Sequence, residues 1–324
     1  MTALTLSRPT SALLVEDIQA PIPAGFVLDS GDLLGDSYIS LRLAGAPDAP
    51  KVLALGGISA GRDVCGPSGW WRETLIDHAG IDLQRFCLIG VDFAPLGDQR
   101  VRFSPRDQAR LLVAALDHLQ TPRLHAFVGA SYGGLVGLAF AELAPERLDR
   151  LCVISAAHRP CAQASAWRGV QRRIVEFGAL HDDAAGGLAL ARQLAMITYR
   201  TADEFDARFG AGVDASGRGP VDGYLEARGK AYPAAIGAKR WLSLSESIDR
   251  ALLAPESIST PTTLAACFED QLVPLALVQE LADRLPDVRG FHSFHSQYGH
   301  DAFLKEPARI AGIINACLKE QLDV

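Results

Sequence analysis

The chain has 324 residues, 48% of them hydrophobic, and a formal net charge of −7 with acids and bases interspersed. That is apolar material for one large α/β domain with an insertion, and the charge pattern excludes a basic nucleic-acid surface. No apolar run has the length to span a bilayer, and Met1–Ala20 lacks a basic stretch followed by an apolar one, so no membrane association and no signal peptide are expected. Cys65, Cys87, Cys152, Cys161, Cys267 and Cys317 are scattered without a C-x-x-C pair. They read as reduced packing residues, which suits a cytoplasmic setting.

In chain order, the first elements read as short β segments: Ala12–Val15, Phe26–Leu28 and the alternating Tyr38–Leu43. Val52–Leu55 and Phe86–Val91 are wholly apolar runs, the pattern of strands buried on both faces of a parallel sheet. Asp107–Leu119 has helical period, with Leu111, Leu112, Ala115 and Leu119 on one face. Strands Leu124–Val128 and Leu151–Ile154 flank a small-residue helix, Leu135–Leu143. This alternation predicts a mostly parallel, doubly wound α/β sheet. From Pro160 the pattern turns helical, interrupted by a Gly-rich segment at 210–223. Strand Thr262–Phe268, helix Leu275–Leu285, strand Val288–Phe294 and helix Ala308–Leu318 complete the chain. The expected organisation is a core in two parts, 1–159 and 258–324, around a helical lid insertion at 160–257.

The chemistry concentrates at Gly129-Ala130-Ser131-Tyr132-Gly133, a G-x-S-x-G between a strand and a helix. This is the spacing of a nucleophile elbow, in which a strained turn presents the serine hydroxyl above the sheet. A hydroxyl attacks only if a base takes its proton and a third group holds the base. In hydrolase-type sheets the chain order is Ser, acid, His. Asp270 stands just past a strand end, on the rim where open α/β sheets place their sites, and His300 follows the last strand, so Ser131, Asp270 and His300 are the expected triad. Glu269 is the rival acid, expected to point elsewhere. Two backbone amides should receive the oxyanion: that of Tyr132, after the nucleophile, and one from Gly56–Ser59, where Ile58 is chosen and Gly57 is the near rival. His292 and His295 could join His300 as a metal cluster, but they have no spaced acidic partner, and no metal or bound cofactor is expected.

Further stretches carry a resemblance. They are Gly69-Trp70-Trp71, Val170-Gln171-Arg172, Met196-Ile197-Thr198-Tyr199-Arg200-Thr201, Arg208-Phe209-Gly210, Tyr224-Leu225 and Gly299-His300-Asp301-Ala302-Phe303-Leu304. From about Val52 onward the chain resembles the homoserine O-acetyltransferase family of the α/β-hydrolase superfamily. The resemblance implies an α/β-hydrolase fold and ping-pong transfer of an acyl group from acyl-CoA, as co-substrate, to the hydroxyl of L-homoserine. It implies further that Arg200 grips the homoserine carboxylate, that Asp301 meets its ammonium, and that the lid helices form a homodimer, to which Leu188–Ile197 could contribute.

The chain also departs from that family. Its elbow has Ala130 and Tyr132 where the family has Gly or Asn and Met, and Asp92–Asp98 replaces the family's N-x-L-G-G-C. Acetyl is favoured over succinyl on the family's usual donor, with Arg62, Arg168 and Arg172 the cations nominated for a succinyl carboxylate. Serine as acceptor, and plain esterase or thioesterase activity, are the alternatives; an amino-acid clamp of Arg200 and Asp301 argues against a hydrolase.

Overall fold

The computed structural model describes residues 14–35 and 37–319. Two antiparallel strands come first, β1 (Leu14–Pro21) and β2 (Tyr38–Gly45). The strand expected at Ala12–Val15 therefore has its first two residues outside the described range and runs on to Pro21. Most of β1 is solvent-exposed, so it has no apolar run to read. Phe26–Leu28 is not a strand: Val27 makes an isolated bridge to Leu33, and positive-φ Gly25 and Gly31 turn the chain too tightly for a longer run. Phe26 and Leu28 are nonetheless buried.

The central strands follow the apolar runs. β3 (Lys51–Leu55) and β4 (Cys87–Val91) lead to helix α1 (Pro105–His118). This helix begins earlier than its periodicity suggests, because Ser104 and Asp107 form a reciprocal capping box ahead of the first apolar residue. β5 (Ala126–Ala130) then enters α2 (Tyr132–Leu143), and β6 (Leu151–Ile154) follows. Leu124, expected inside β5, makes only a bridge to Leu148.

Five helices separate β6 from the next strand: α3 (Ala162–Leu180), α4 (Ala184–Tyr199), α5 (Ala202–Phe209), α6 (Pro220–Ile236) and α7 (Ala238–Asp249). The chain ends on β7 (Thr262–Cys267), α8 (Leu275–Arg284), β8 (Val288–Phe294), α9 (Ala302–Lys305) and α10 (Pro307–Lys319). Strand order in the eight-stranded sheet is β1-β2-β4-β3-β5-β6-β7-β8, antiparallel at β1–β2 and β2–β4 and parallel elsewhere.

The sheet separates two apolar layers. Leu53, Leu55, Phe127 and Val153 face one way, toward α1 and α2. Val52, Ala54, Val128 and Ile154 face the other, toward Trp71, Leu75 and α10. Alternate residues of one strand thus serve both layers, which is why these strands carry no polar residue beyond Lys51 at the start of β3. The consequence for function lies at one edge. The carboxyl ends of β3, β5, β6 and β7 all open on the same rim, under helices α3, α4 and α7.

Candidate active site

Ser131 sits between β5 and α2 with φ 54° and ψ −120°, a conformation costly for a residue with a side chain. Its neighbours explain how the turn is made. A Cβ on Gly133 would fall 2.4 Å from the Leu55 carbonyl oxygen, and one on Gly129 would fall 2.4 Å from that of Gly133. Neither position has room for alanine, so strand and helix meet backbone to backbone, with the Gly133 amide donating to the Gly56 carbonyl at 2.8 Å. The Ser131 hydroxyl is thereby lifted clear of the sheet.

The structure brings the three expected residues together. Ser131 Oγ lies 2.8 Å from His300 Nε2, and His300 Nδ1 lies 2.7 Å from Asp270 Oδ2. The other oxygen of Asp270 accepts from the amides of Leu272 and Val273, each at 2.9 Å, which fixes the carboxylate's rotation. Glu269 faces away: it bonds His295 Nδ1 at 2.6 Å and the Ser296 amide at 2.9 Å. His295 is otherwise occupied in stacking on Phe268. Among the described residues no group of three or more His, Cys, Asp or Glu side chains is arranged to hold a metal ion.

Burial works against a charged His300, but the Asp270 carboxylate, by its field and its hydrogen bond, outweighs it, and Asp301 adds to the effect. The result is a pKa above the ordinary imidazole value of about 6.5. A base must be neutral to accept a proton, so the expected acylation rate rises with pH and levels off above an inflection higher than about 6.5. A pH–rate profile of the first half-reaction checks this; an inflection at or below the ordinary value would contradict it.

Above the triad is a cavity of about 250 Å³, lined by both ends of the site. Gly57, Ile58 and Tyr132 are in its wall, and among the described residues their amides have no hydrogen-bond acceptor. The Tyr132 amide follows the nucleophile directly, and those of Gly57 and Ile58 belong to the loop that leaves β3. The Tyr132 side chain points away from the cavity: its hydroxyl bonds Ser247 Oγ at 2.6 Å and its ring packs edge-on to Phe93, tying the elbow to α7.

Asp301 also lines the cavity, whereas Arg200 does not. Arg200 is buried behind it, with Nε donating to Asp301 Oδ2 at 3.1 Å and Nη1 donating to Glu204 Oε1 at 2.6 Å. The direct clamp expected of Arg200 is therefore modified by Glu204, which the sequence pattern did not single out and which takes half of its guanidinium. Three further cavity residues have no role assigned from the sequence. Ser155, at the end of β6 with φ 49°, has a buried hydroxyl without a hydrogen-bond partner among the described residues. Gln171 lies on α3, and Arg192 is the sole charged residue of α4. A lone arginine in an otherwise apolar helix was the available signal.

The family model for the alpha/beta hydrolase fold matches residues 52–307. The homoserine O-succinyltransferase of Xanthomonas campestris pv. campestris is 41% identical, over 88% of this chain and 80% of that protein. The homoserine O-acetyltransferase of Nocardia farcinica is 28% identical, over 91% of each. Among solved structures, the homoserine O-acetyltransferase of Staphylococcus aureus superposes with a TM-score of 0.81 at 20% identity, covering 97% of both chains, a likeness of fold. With an elbow serine, its base and its acid in register on the sheet's rim, the chain belongs to the α/β-hydrolase superfamily and, within it, to the homoserine O-acyltransferase family.

Proposed function

We propose that the protein transfers an acyl group from a coenzyme A thioester to the side-chain hydroxyl of L-homoserine, through an acyl-enzyme on Ser131. In the first half-reaction His300 Nε2 takes the Ser131 proton as Oγ attacks the thioester carbonyl. The resulting oxyanion is received by the amides of Tyr132 and Ile58. The carbon–sulfur bond then breaks, and His300 returns the proton to the departing thiolate. In the second half-reaction His300 deprotonates the homoserine hydroxyl, which attacks the acyl-serine, and the proton goes back to Ser131 Oγ. Asp270 holds the imidazole in the tautomer that leaves Nε2 free to accept.

The observation that carries this reading is Asp301. It follows the base in the chain, lines the cavity, and is held from behind by Arg200. An acid so placed suits an ammonium group beside the hydroxyl being deprotonated, which an enzyme using water has no need of. Arg200 orients that acid and has Nη2 left to offer the adjacent substrate carboxylate, since among the described residues its hydrogen bonds use only Nε and Nη1. Helices α3, α4 and α7 act as the lid of the site. Exposed apolar residues on two of them, Phe177, Leu180, Leu190 and Ile197, support a homodimer through the same helices. Six cysteines outside any disulfide, five of them buried, support a reducing, cytoplasmic compartment; among the described residues no helix is long and apolar enough to cross a membrane.

The test is release of free coenzyme A with and without homoserine. An acyltransferase gives a single burst, about one equivalent per active site, until homoserine is added, and then turns over. Steady release without an acceptor would assign a thioesterase instead, and faster turnover with serine would change the acceptor.

A further inference from the structure

Three arginines line the cavity, and two of them are neutralised. Arg159 is paired with Glu280, and Arg168 donates to Asp249 Oδ1 at 2.6 and 3.0 Å. Arg172, outside the lining, bonds the other oxygen of the same Asp249 at 2.7 Å. Arg62 points elsewhere, to Asp92 and Asp17. The cations nominated from sequence are thus all committed to acids.

Arg192 differs. Among the described residues no carboxylate makes a direct ion pair with it, although the field of the nearby Asp301 carboxylate reaches it. Its guanidinium lies 4.5 Å from the Tyr232 ring centroid and 5.5 Å from that of Tyr199, and its sole hydrogen bond among the described residues is a long one, 3.4 Å, to the Tyr199 hydroxyl. Aromatic faces hold a cation in place without cancelling its charge. Arg192 is half-buried, and a cation partly withdrawn from water at a cavity wall favours an anion beside it.

Its position indicates which anion. Tyr199, on one side, has its ring 6.1 Å from the His300 ring. Tyr232, on the other, bonds Ser59 Oγ at 2.6 Å, next to Ile58 in the oxyanion loop. Arg192 therefore stands one side-chain layer from the place where the acyl carbonyl must sit. Asp301, assigned to the acceptor's ammonium, is already bonded to Arg200 rather than to Arg192.

We propose that Arg192 receives a carboxylate at the far end of the transferred acyl group, which makes the preferred donor a dicarboxylic acid monothioester of coenzyme A, succinyl-CoA in size, rather than acetyl-CoA. Two methylenes separate the two carbonyl carbons of a succinyl group, a span of about 4 Å by standard bond lengths. An acetyl methyl would leave the guanidinium without a partner. This inference rests on the acyltransfer reading above and reverses the donor order expected from the sequence.

The experiment offers equal concentrations of succinyl-CoA and acetyl-CoA, with homoserine fixed, and weighs the two O-acylhomoserine products by mass spectrometry. Wild type is expected to give mainly the succinyl product. Arg192→Met should lower the succinyl-to-acetyl ratio by about 30-fold or more, the usual scale for removing one partner of a buried charge pair. Arg192→Lys keeps the charge but not the fork, and its ratio should fall between the two. Because each ratio is internal to one sample, loss of folded protein cancels. An acetyl excess in wild type overturns the proposal. So does an unchanged ratio in both variants with a raised KM for homoserine, which would give Arg192 to the acceptor's carboxylate. No product from either ester would overturn the acyltransfer reading as well.

Discussion

Ser131→Ala is expected to lower acyl transfer by about four orders of magnitude or more, the scale of loss when the nucleophile of a cooperating triad is removed. The effect should be confined to chemistry. The Ser131 hydroxyl bonds only His300 among the described residues, and the turn is held by backbone contacts that alanine keeps: the Ser131 amide to the Ile154 carbonyl at 2.9 Å, and Gly133 to Gly56 at 2.8 Å. Alanine at φ 54° bears the same strain as serine. The thermal midpoint should accordingly stay close to that of wild type while activity disappears. A variant that keeps a tenth of the activity, against that expected scale of roughly four orders of magnitude, would remove Ser131 from the mechanism.

Asp270→Asn should cost about three to four orders of magnitude in kcat, for a more specific reason. One Asp270 oxygen is fixed by the amides of Leu272 and Val273, and the other faces His300 Nδ1. An asparagine that keeps its oxygen on those two amides must turn its NH2 toward Nδ1. Donor then meets donor, Nδ1 becomes the acceptor, and the ring's proton moves to Nε2, where it blocks attack by Ser131. The same change removes the carboxylate that raises the His300 pKa, so any residual activity should titrate at a lower pH than in wild type. A purely structural loss would reduce the rate without moving the inflection.

The sheet was legible because β3, β4, β5, β6 and β7 are buried on both faces, and burial of that kind writes itself as an apolar run, broken here only by Lys51 at the start of β3 and Thr262 and Thr263 at the start of β7. β1 was largely hidden: an exposed edge strand needs no apolar pattern, and its length is set by pairing with β2. The Ser, Asp and His positions were legible for another reason. Each lies just past a strand on one rim, so chain order and strand ends locate them together. Arg192 and Glu204 were not. Each sits within a helix, and its meaning comes from what meets it in space: Tyr199 and Tyr232 for the one, Arg200 for the other. The turned-in side chain of Tyr132 was unreadable likewise, since its partner Ser247 is 115 residues away in the chain.

The central claim is a covalent acyl group on Ser131, and intact-mass measurement tests it most directly. The protein is mixed with acyl-CoA in the absence of homoserine, quenched in acid, weighed, and digested to locate the added mass. The account predicts a gain of one acyl group per chain on the peptide containing Ser131, discharged when homoserine is added before the quench and absent from Ser131→Ala. Turnover in the presence of homoserine with no mass gain at any time before it, or a gain that persists in Ser131→Ala, would contradict the account.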